Sequence, residues 1–324
     1  MDSLNTVLVI ISAITLFIYG LQSFSKEIEN FGVENLQKWI AKLTAFPLGG
    51  FFLGGAVTAV IQSSTLVSSL TVTLVNSGII TFRNSLLILL GTNIGTTSTA
   101  WIVSFESSIL GPVFIVLGTL VSIIPSRFSI AGKSIFYFGF IFFALTQIGI
   151  AMNPIKNDPV LLEVMSKATI PLLGIIYGIV ITIIVQSSSV VVGLIIVMVS
   201  QGVVGLDAAI PIVIGANLGT TSTALLVSLK FSPISKLAAL SASTFNLIGV
   251  LMIFPFFSLL ENLAQQLSSN PPTQVAIAFT ISNTFTSVFF LIFFNPTVKL
   301  LQKHRWYKQA NRVGREVSDK QIGD

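Results

Sequence analysis

Cysteine is absent from the 324 residues, so neither a disulfide nor a thiolate metal site can form. Histidine occurs once, as His304 near the C-terminal end, where it reads as a solvated residue. Only 9% of the residues are charged, whereas soluble domains carry about 25%. That scarcity excludes an ordinary water-soluble globule. The apolar stretches 47–80, 85–104, 171–204 and 208–228 contain no Lys, Arg, His, Asp or Glu at all. A hydroxyl nucleophile needs a base beside it, so the serine-rich segments there do not read as an intramembrane hydrolase. No enzyme activity and no cofactor are expected.

What is present is apolar: 53% of the residues are hydrophobic and the mean hydropathy is +0.91. Several runs approach the ~20 residues that span a bilayer as a helix. None alternates as the strands of a membrane barrel do. The fold class is therefore an all-α, multi-pass membrane protein surrounded by lipid. The net charge of +5 sits largely after the last apolar run, at Lys299, Lys303, Arg305, Lys308, Arg312, Arg315 and Lys320. Basic residues so placed mark a cytoplasmic flank of a membrane span and not a nucleic-acid surface. The N-terminus lacks the basic region of a signal peptide, so its apolar run reads as a retained span.

The sequence is doubled. A constant shift of 124 residues carries Gln62-Ser63-Ser64-Thr65 onto Gln186-Ser187-Ser188-Ser189. The same shift carries Gly91-Thr92-Asn93-Ile94-Gly95-Thr96-Thr97-Ser98-Thr99-Ala100 onto Gly215-Ala216-Asn217-Leu218-Gly219-Thr220-Thr221-Ser222-Thr223-Ala224. Aligned from Pro47 and Pro171 onward, roughly two positions in five are identical, far above chance for an internal repeat. It also matches Phe17-Ile18-Tyr19-Gly20-Leu21 with Ile141-Phe142-Phe143-Ala144-Leu145, so the leading span belongs to the duplicated unit.

In chain order, the first span runs from about Leu4 to Phe24. Lys26 to Leu43 is amphipathic, with Ile28, Phe31, Leu36, Trp39, Ile40 and Leu43 near helical spacing, and fits an interfacial linker helix. Pro47 to Ile80 reads either as two full spans with a polar turn or as a re-entrant hairpin with its tip at Gln62. The polar tip and the short arms favour the hairpin. Ser85 to Ser104 is expected to be a broken helix, unwound at Gly91–Thr97, because two glycines and an asparagine in five residues are poor helix formers. Ile109 to Ile124 is a further span, with Gly111 and Gly118 suited to close packing. The second copy follows as Lys133–Met152, a hairpin over Pro171–Val204, a broken helix over Ala208–Ser228 and a closing span over Ile234–Phe257. Val275 to Phe294 is an extra span. The expected units are 1–126 and 127–258 for the two copies, 273–295 for the added helix and 296–324 for a basic tail.

If the hairpins return to the side they enter and the broken helices cross, fifteen basic residues collect on one side. Only Lys156 and Lys167 lie on the other. That asymmetry puts the C-terminus in the cytoplasm and the N-terminus outside. Were the broken helices to return instead, the totals would tie, so charge fixes the termini but not the relation of the repeats. Arg83 in the first copy corresponds to Asp207 in the second, which leans towards copies of inverted topology.

The chemistry follows from neutral oxygens. The amides of Gln62, Gln186, Asn93 and Asn217, the hydroxyl runs, and carbonyls freed by unwinding suit a hard, singly charged cation. Half-helices starting after Ser64 and Ser188 aim free N–H groups and positive dipole ends at the midplane, which suits an anion. Discontinuous helices meeting at a repeat interface hold substrate and coupling ion together in secondary transporters. Single hydroxyls such as Thr58, Thr182 or Ser68 read as well as packing as they do as ligands.

These motifs resemble the signature of the type II sodium/phosphate cotransporters, over roughly residues 9–295. Phe17-Ile18-Tyr19-Gly20 and Phe245-Asn246-Leu247-Ile248-Gly249 are secondary matches, and Asn283 lies in a weaker version with Ser282 in place of the usual Phe. The resemblance implies a symporter that takes up inorganic phosphate with sodium as coupling ion. It implies phosphate contacts from Gln62, Ser63, Ser64, Thr65, Gln186, Ser187, Ser188, Ser189, Asn93 and Asn217. It implies sodium contacts from Gln62, Ser64, Thr96, Thr97, Gln186, Ser188, Thr220 and Thr221. The sequence departs from the pattern at Thr65, where a third serine is usual, and lacks the extracellular disulfide of animal members. Another oxyanion, such as sulfate or a dicarboxylate, is the competing cargo. A passive anion channel is a further alternative, weakened by the missing basic rings. Nothing in the sequence sets the oligomeric state.

Overall fold

The computed structural model describes residues 3–310 apart from 44, 45, 47, 106 and 125–127, with side chains for all of these but 3, 4, 31–43 and 128. Every regular element among them is helical. The helices are α1 (Ser3–Leu43), α2 (Gly49–Ile61), α3 (Ser64–Asn76), α4 (Phe82–Ser104), α5 (Leu110–Ser122), α6 (Phe128–Met152) and α7 (Pro159–Ala168). They continue as α8 (Pro171–Val185), α9 (Ser188–Ser200), α10 (Leu206–Ser228), α11 (Pro233–Ile253), α12 (Phe257–Leu267), α13 (Pro271–Ile292) and α14 (Phe294–Gln302). Among the described residues, six helical stretches are long and apolar enough to cross a membrane, at Asn5–Asn30, Phe82–Ser104, Ser129–Met152, Leu206–Ser228, Pro233–Leu267 and Pro271–Ile292.

The duplication reaches the helix ends. The bounds of α3 and α9 differ by the same 124 residues, as do those of α4 and α10. Within the first copy, Gly50 lies against Leu87, Gly54 against Ile88 and Gly95 against Thr58, so α2 and α4 run in the same direction. A tight turn with Gly78 at φ +73° and an Ile79 N–H bond to the Leu74 carbonyl (3.0 Å) folds α3 back along α4. The second copy repeats this. Gly174 packs on Pro211, Gly178 on Ile212 and Gly219 on Thr182, with Gly202 at φ +71° in the returning turn. Each pair α2–α3 and α8–α9 is thus a helical hairpin leaning on one long helix.

The long helices differ from expectation. Both α4 and α10 are unbroken through Gly91–Thr97 and Gly215–Thr221. Their glycines serve contact, not unwinding: a Cβ on Gly91 would collide with the Phe51 carbonyl, and one on Gly215 with that of Ile175. Close backbone approach of this kind is what small residues give membrane helices. The hydroxyls turn inward onto their own helix, Thr92 to the Leu89 carbonyl (2.8 Å) and Thr97 to that of Ile94 (2.7 Å). Helices α7 and α8 meet at a sharp bend of 112°, where Pro171 bars the preceding residues from continuing a helix.

Other boundaries shifted as well. The first span and the amphipathic segment form one helix, α1, because no glycine or proline separates them before Gly32. The apolar face expected from Phe31, Leu36, Trp39, Ile40 and Leu43 lies outside the described side chains. Helix α5 has 13 residues, about 20 Å, shorter than a crossing. Gly111 and Gly118 do pack it onto the Phe143 and Phe136 backbone of α6. Three helices lacked a counterpart in the sequence reading: α7, started by Asp158, whose Oδ1 accepts from Val160 N–H at 2.9 Å, and α12 and α14. In the core, Phe17 of α1 is fully buried and its ring fills the space a side chain on Gly193 of α9 would need.

Candidate functional site

Both hairpin tips are built alike. Gln62 ends α2 in the left-handed conformation (φ 60°) and Gln186 ends α8 in the same way (φ 58°). Each donates its backbone N–H to the threonine one turn earlier, Gln62 to the Thr58 carbonyl (2.8 Å) and Gln186 to that of Thr182 (2.7 Å). The next serine caps the second arm: Ser63 Oγ accepts from Leu66 N–H (3.3 Å) and Ser187 Oγ from Val190 N–H (3.4 Å). A left-handed residue other than glycine costs of order 1–3 kcal/mol and gathers at functional sites.

The two side chains then diverge. Gln62 is 8% exposed. Its Nε2 donates to Ser98 Oγ (2.8 Å) and to the Ala59 carbonyl, while Thr99 Oγ1 donates to its Oε1 (2.8 Å). Thr99 Oγ1 also lies 3.4 Å from Ser189 Oγ of the other copy. The first tip is thus closed over a hydroxyl cluster drawn from both copies. Gln186 is exposed and its amide makes no hydrogen bond among the described residues. Ser188 is 2% exposed and its hydroxyl has no partner among them.

A second meeting point lies between the copies. A cavity of about 20 Å³ is lined by Ser64, Ser68, Thr92 and Asn93 of the first copy and Asn217, Thr220 and Thr221 of the second, together with Asn246 on α11. That volume holds one water-sized species. Asn93 Nδ2 donates to Asn246 Oδ1 (2.6 Å) and Asn217 Nδ2 to Asn283 Oδ1 of α13 (2.7 Å). With their nitrogens engaged, the Oδ1 atoms of Asn93 and Asn217 are left without a partner among the described residues. A neighbouring cavity of about 10 Å³ shares Asn217 and Asn246 and adds Ser282, Asn283 and Thr286.

Of the residues singled out from sequence, Ser64, Asn93, Asn217, Thr220 and Thr221 share this cavity. Gln62 and Ser189 join the tip cluster, Ser63 and Ser187 act as caps, and Thr65 is half-buried with no side-chain hydrogen bond among the described residues. Thr96 and Thr97 are buried and bonded back to Thr92 and Ile94, and neither lines the cavity. The sequence reading passed over Ser98, Thr99, Asn246 and Asn283 as site residues, although all four stood in the repeated or secondary motifs. A larger cavity of about 250 Å³ lies at the far end of α9, between Val103, Thr146, Asn153, Ser200 and Gln201.

Chemically, both points offer neutral oxygens only, and no group of three or more His, Cys, Asp or Glu occurs among the described residues. Neutral oxygens ligate hard cations. The first N–H groups of α3 and α9 stand outside the helix ladder, and helix ends of this kind favour a ligand of the opposite, negative sign.

The profile of a family described as Na+/Pi-cotransporter matches residues 16–149 and 158–268. Similar chains include the Bacillus subtilis "Uncharacterized protein YqeW", 26% identical over 89% of this chain and 94% of that one. The Salmonella typhimurium "Putative inorganic phosphate export protein YjbB" is 29% identical over 85% of this chain, which spans about half (51%) of that relative's length. The human "Sodium-dependent phosphate transport protein 2B" is 34% identical over 30% of this chain and 15% of its own. No solved structure matches. With three quarters of its length carrying that profile, the chain belongs to the Na+/Pi-cotransporter family.

Proposed function

We propose that the protein is a sodium-coupled symporter of inorganic phosphate in the plasma membrane. The observation that carries the reading is the water-sized cavity walled by Ser64 and Asn93 of one copy and Asn217 and Thr220 of the other, with no charged side chain. Sodium fits its neutral oxygens, and co-bound cations offset the charge of an oxyanion held by the helix ends at Ser64 and Ser188. The family membership supports phosphate as cargo. The name of the human relative supports sodium dependence.

Inverted topology is part of the proposal. Ser64 shares the cavity with Asn217 and Thr220, and Val72 packs with Ala224, so α3 runs alongside α10 in the same direction. Since α3 folds back on α4, the duplicates α4 and α10 point in opposite directions, as inverted repeats require. On this reading 1–126 and 127–258 are the two copies and the hairpins are re-entrant. Residues 273–295 add a span, 296–324 form a cytoplasmic tail, and the N-terminus lies outside. The phosphate and sodium contacts expected from sequence remain assigned to the Gln-Ser tips, with Asn93, Asn217, Thr220 and Thr221. The closed first tip and the exposed Gln186 correspond to one state of an alternating-access cycle.

Purified protein in vesicles should accumulate labelled phosphate only under an inward sodium gradient, and unlabelled sulfate or dicarboxylate should not compete. Competition by sulfate would reassign the cargo. A second reading, phosphate export, is favoured by the name of YjbB. Sodium-independent efflux from phosphate-loaded vesicles would support export.

A further inference from the structure

Four buried hydroxyls among the described residues have no hydrogen-bond partner, those of Thr58, Thr182, Ser188 and Ser243, and the two threonines stand at equivalent positions in the two copies. Thr71, Thr92, Thr96, Thr97 and Thr220 each turn their hydroxyl onto a carbonyl three or four residues earlier in their own helix. Thr58 and Thr182 do not. Each is 1% exposed, and each hydroxyl is without a hydrogen-bond partner among the described residues. They occupy the same place in the two copies, one turn before the left-handed Gln62 and Gln186. Each also faces a motif glycine: a Cβ on Gly95 would stand 2.6 Å from that of Thr58, and one on Gly219 would stand 2.8 Å from that of Thr182.

A buried hydroxyl without a partner is unfavourable, and valine would fill the same space without the penalty. The same departure at both duplicated positions points to a partner that neither copy supplies from its own side chains. The surroundings fix its sign. Both hydroxyls lie in the last turns of α2 and α8, where helix carbonyls run out of N–H partners and the dipole end is negative. Resting on the reading of the protein as a sodium-coupled carrier, we propose that Thr58 and Thr182 are cation ligands. One in each hairpin arm donates its hydroxyl oxygen to an alkali ion bound at the C-terminal end of that arm. The two cation positions are then equivalent by duplication and distinct from the cavity between the copies.

The test is the isosteric pair Thr58→Val and Thr182→Val, with Thr58→Ser and Thr182→Ser as rescue. Two readouts apply: phosphate uptake titrated with sodium, and the melting temperature of purified protein in sodium chloride against choline chloride. Each valine variant should raise the sodium concentration for half-maximal uptake about tenfold or more. Each should also shrink the sodium-dependent rise in melting temperature, without lowering the melting temperature in choline. The serine variants should restore both. Valine variants with wild-type sodium titration would overturn the assignment, leaving the hydroxyls as packing. A valine variant that melts lower in choline with unchanged sodium activation would overturn it in favour of a structural water. If the wild-type protein itself transports without sodium, the carrier reading falls first, an outcome separable from the other two.

Discussion

Gln62 holds the first tip together. Its amide carbonyl and nitrogen are both engaged, by Thr99 and by Ser98 and Ala59, in a backbone conformation glycine would adopt more easily. Gln62→Gly should relax the backbone strain of about 1 kcal/mol or more yet abolish uptake, because the hydroxyl cluster loses its bridge. A melting curve beside a transport assay separates the two effects. Asn246 works through Asn93. Replacing it by leucine leaves the Asn93 Nδ2 donor buried and unpaired, at a cost of about 1–3 kcal/mol. Asn246→Asp keeps the acceptor for Asn93 but adds a carboxyl group to the cavity wall, so it should melt closer to wild type than the leucine variant while shifting the sodium titration. Thermal melts and sodium titrations on the two variants check this.

At the scale of helices, the glycines decide. Gly91 and Gly95 let α2 lie against α4, and Gly215 and Gly219 let α8 lie against α10. Alanine normally stabilises a helix over glycine by about 1 kcal/mol. Here Gly91→Ala should destabilise by about 1–3 kcal/mol or more, because the added methyl meets the Phe51 backbone. A rise in melting temperature would instead favour an unwound segment. This is where the sequence misled. Gly-x-Asn-x-Gly-Thr-Thr carries low helix propensity, and tertiary packing overrode it, with the hydroxyls satisfied inside the helix. The hairpin tips were legible because Gln-Ser-Ser is polar, short-armed and duplicated. Helices α7, α12 and α14 were not, since Asp158 and Pro159 start α7 through a local cap and no long apolar run announces any of the three. The contrast between buried Gln62 and exposed Gln186 was illegible in principle: near-identical motifs give near-identical expectations, and only the assembled copies distinguish them.

For the whole molecule, the two copies meet at Thr99 and Ser189 and around Asn93 and Asn217, so neither copy builds the candidate site alone. The proposed orientation puts Lys156 outside and Lys230 in the cytoplasm, and both side chains are exposed. The chain has no cysteine, so single replacements report cleanly. Lys156→Cys should react with a membrane-impermeant maleimide on intact cells, and Lys230→Cys only after permeabilisation. The reverse pattern would invert the assigned topology.

The most direct test of sodium-coupled phosphate symport is uptake of labelled phosphate by purified protein in sealed vesicles. Sodium outside should drive accumulation above the external concentration, collapse of the sodium gradient should abolish it, and Gln62→Ala and Gln186→Ala should each remain at background. Accumulation that proceeds equally in choline, or that survives loss of both glutamines, would contradict the account.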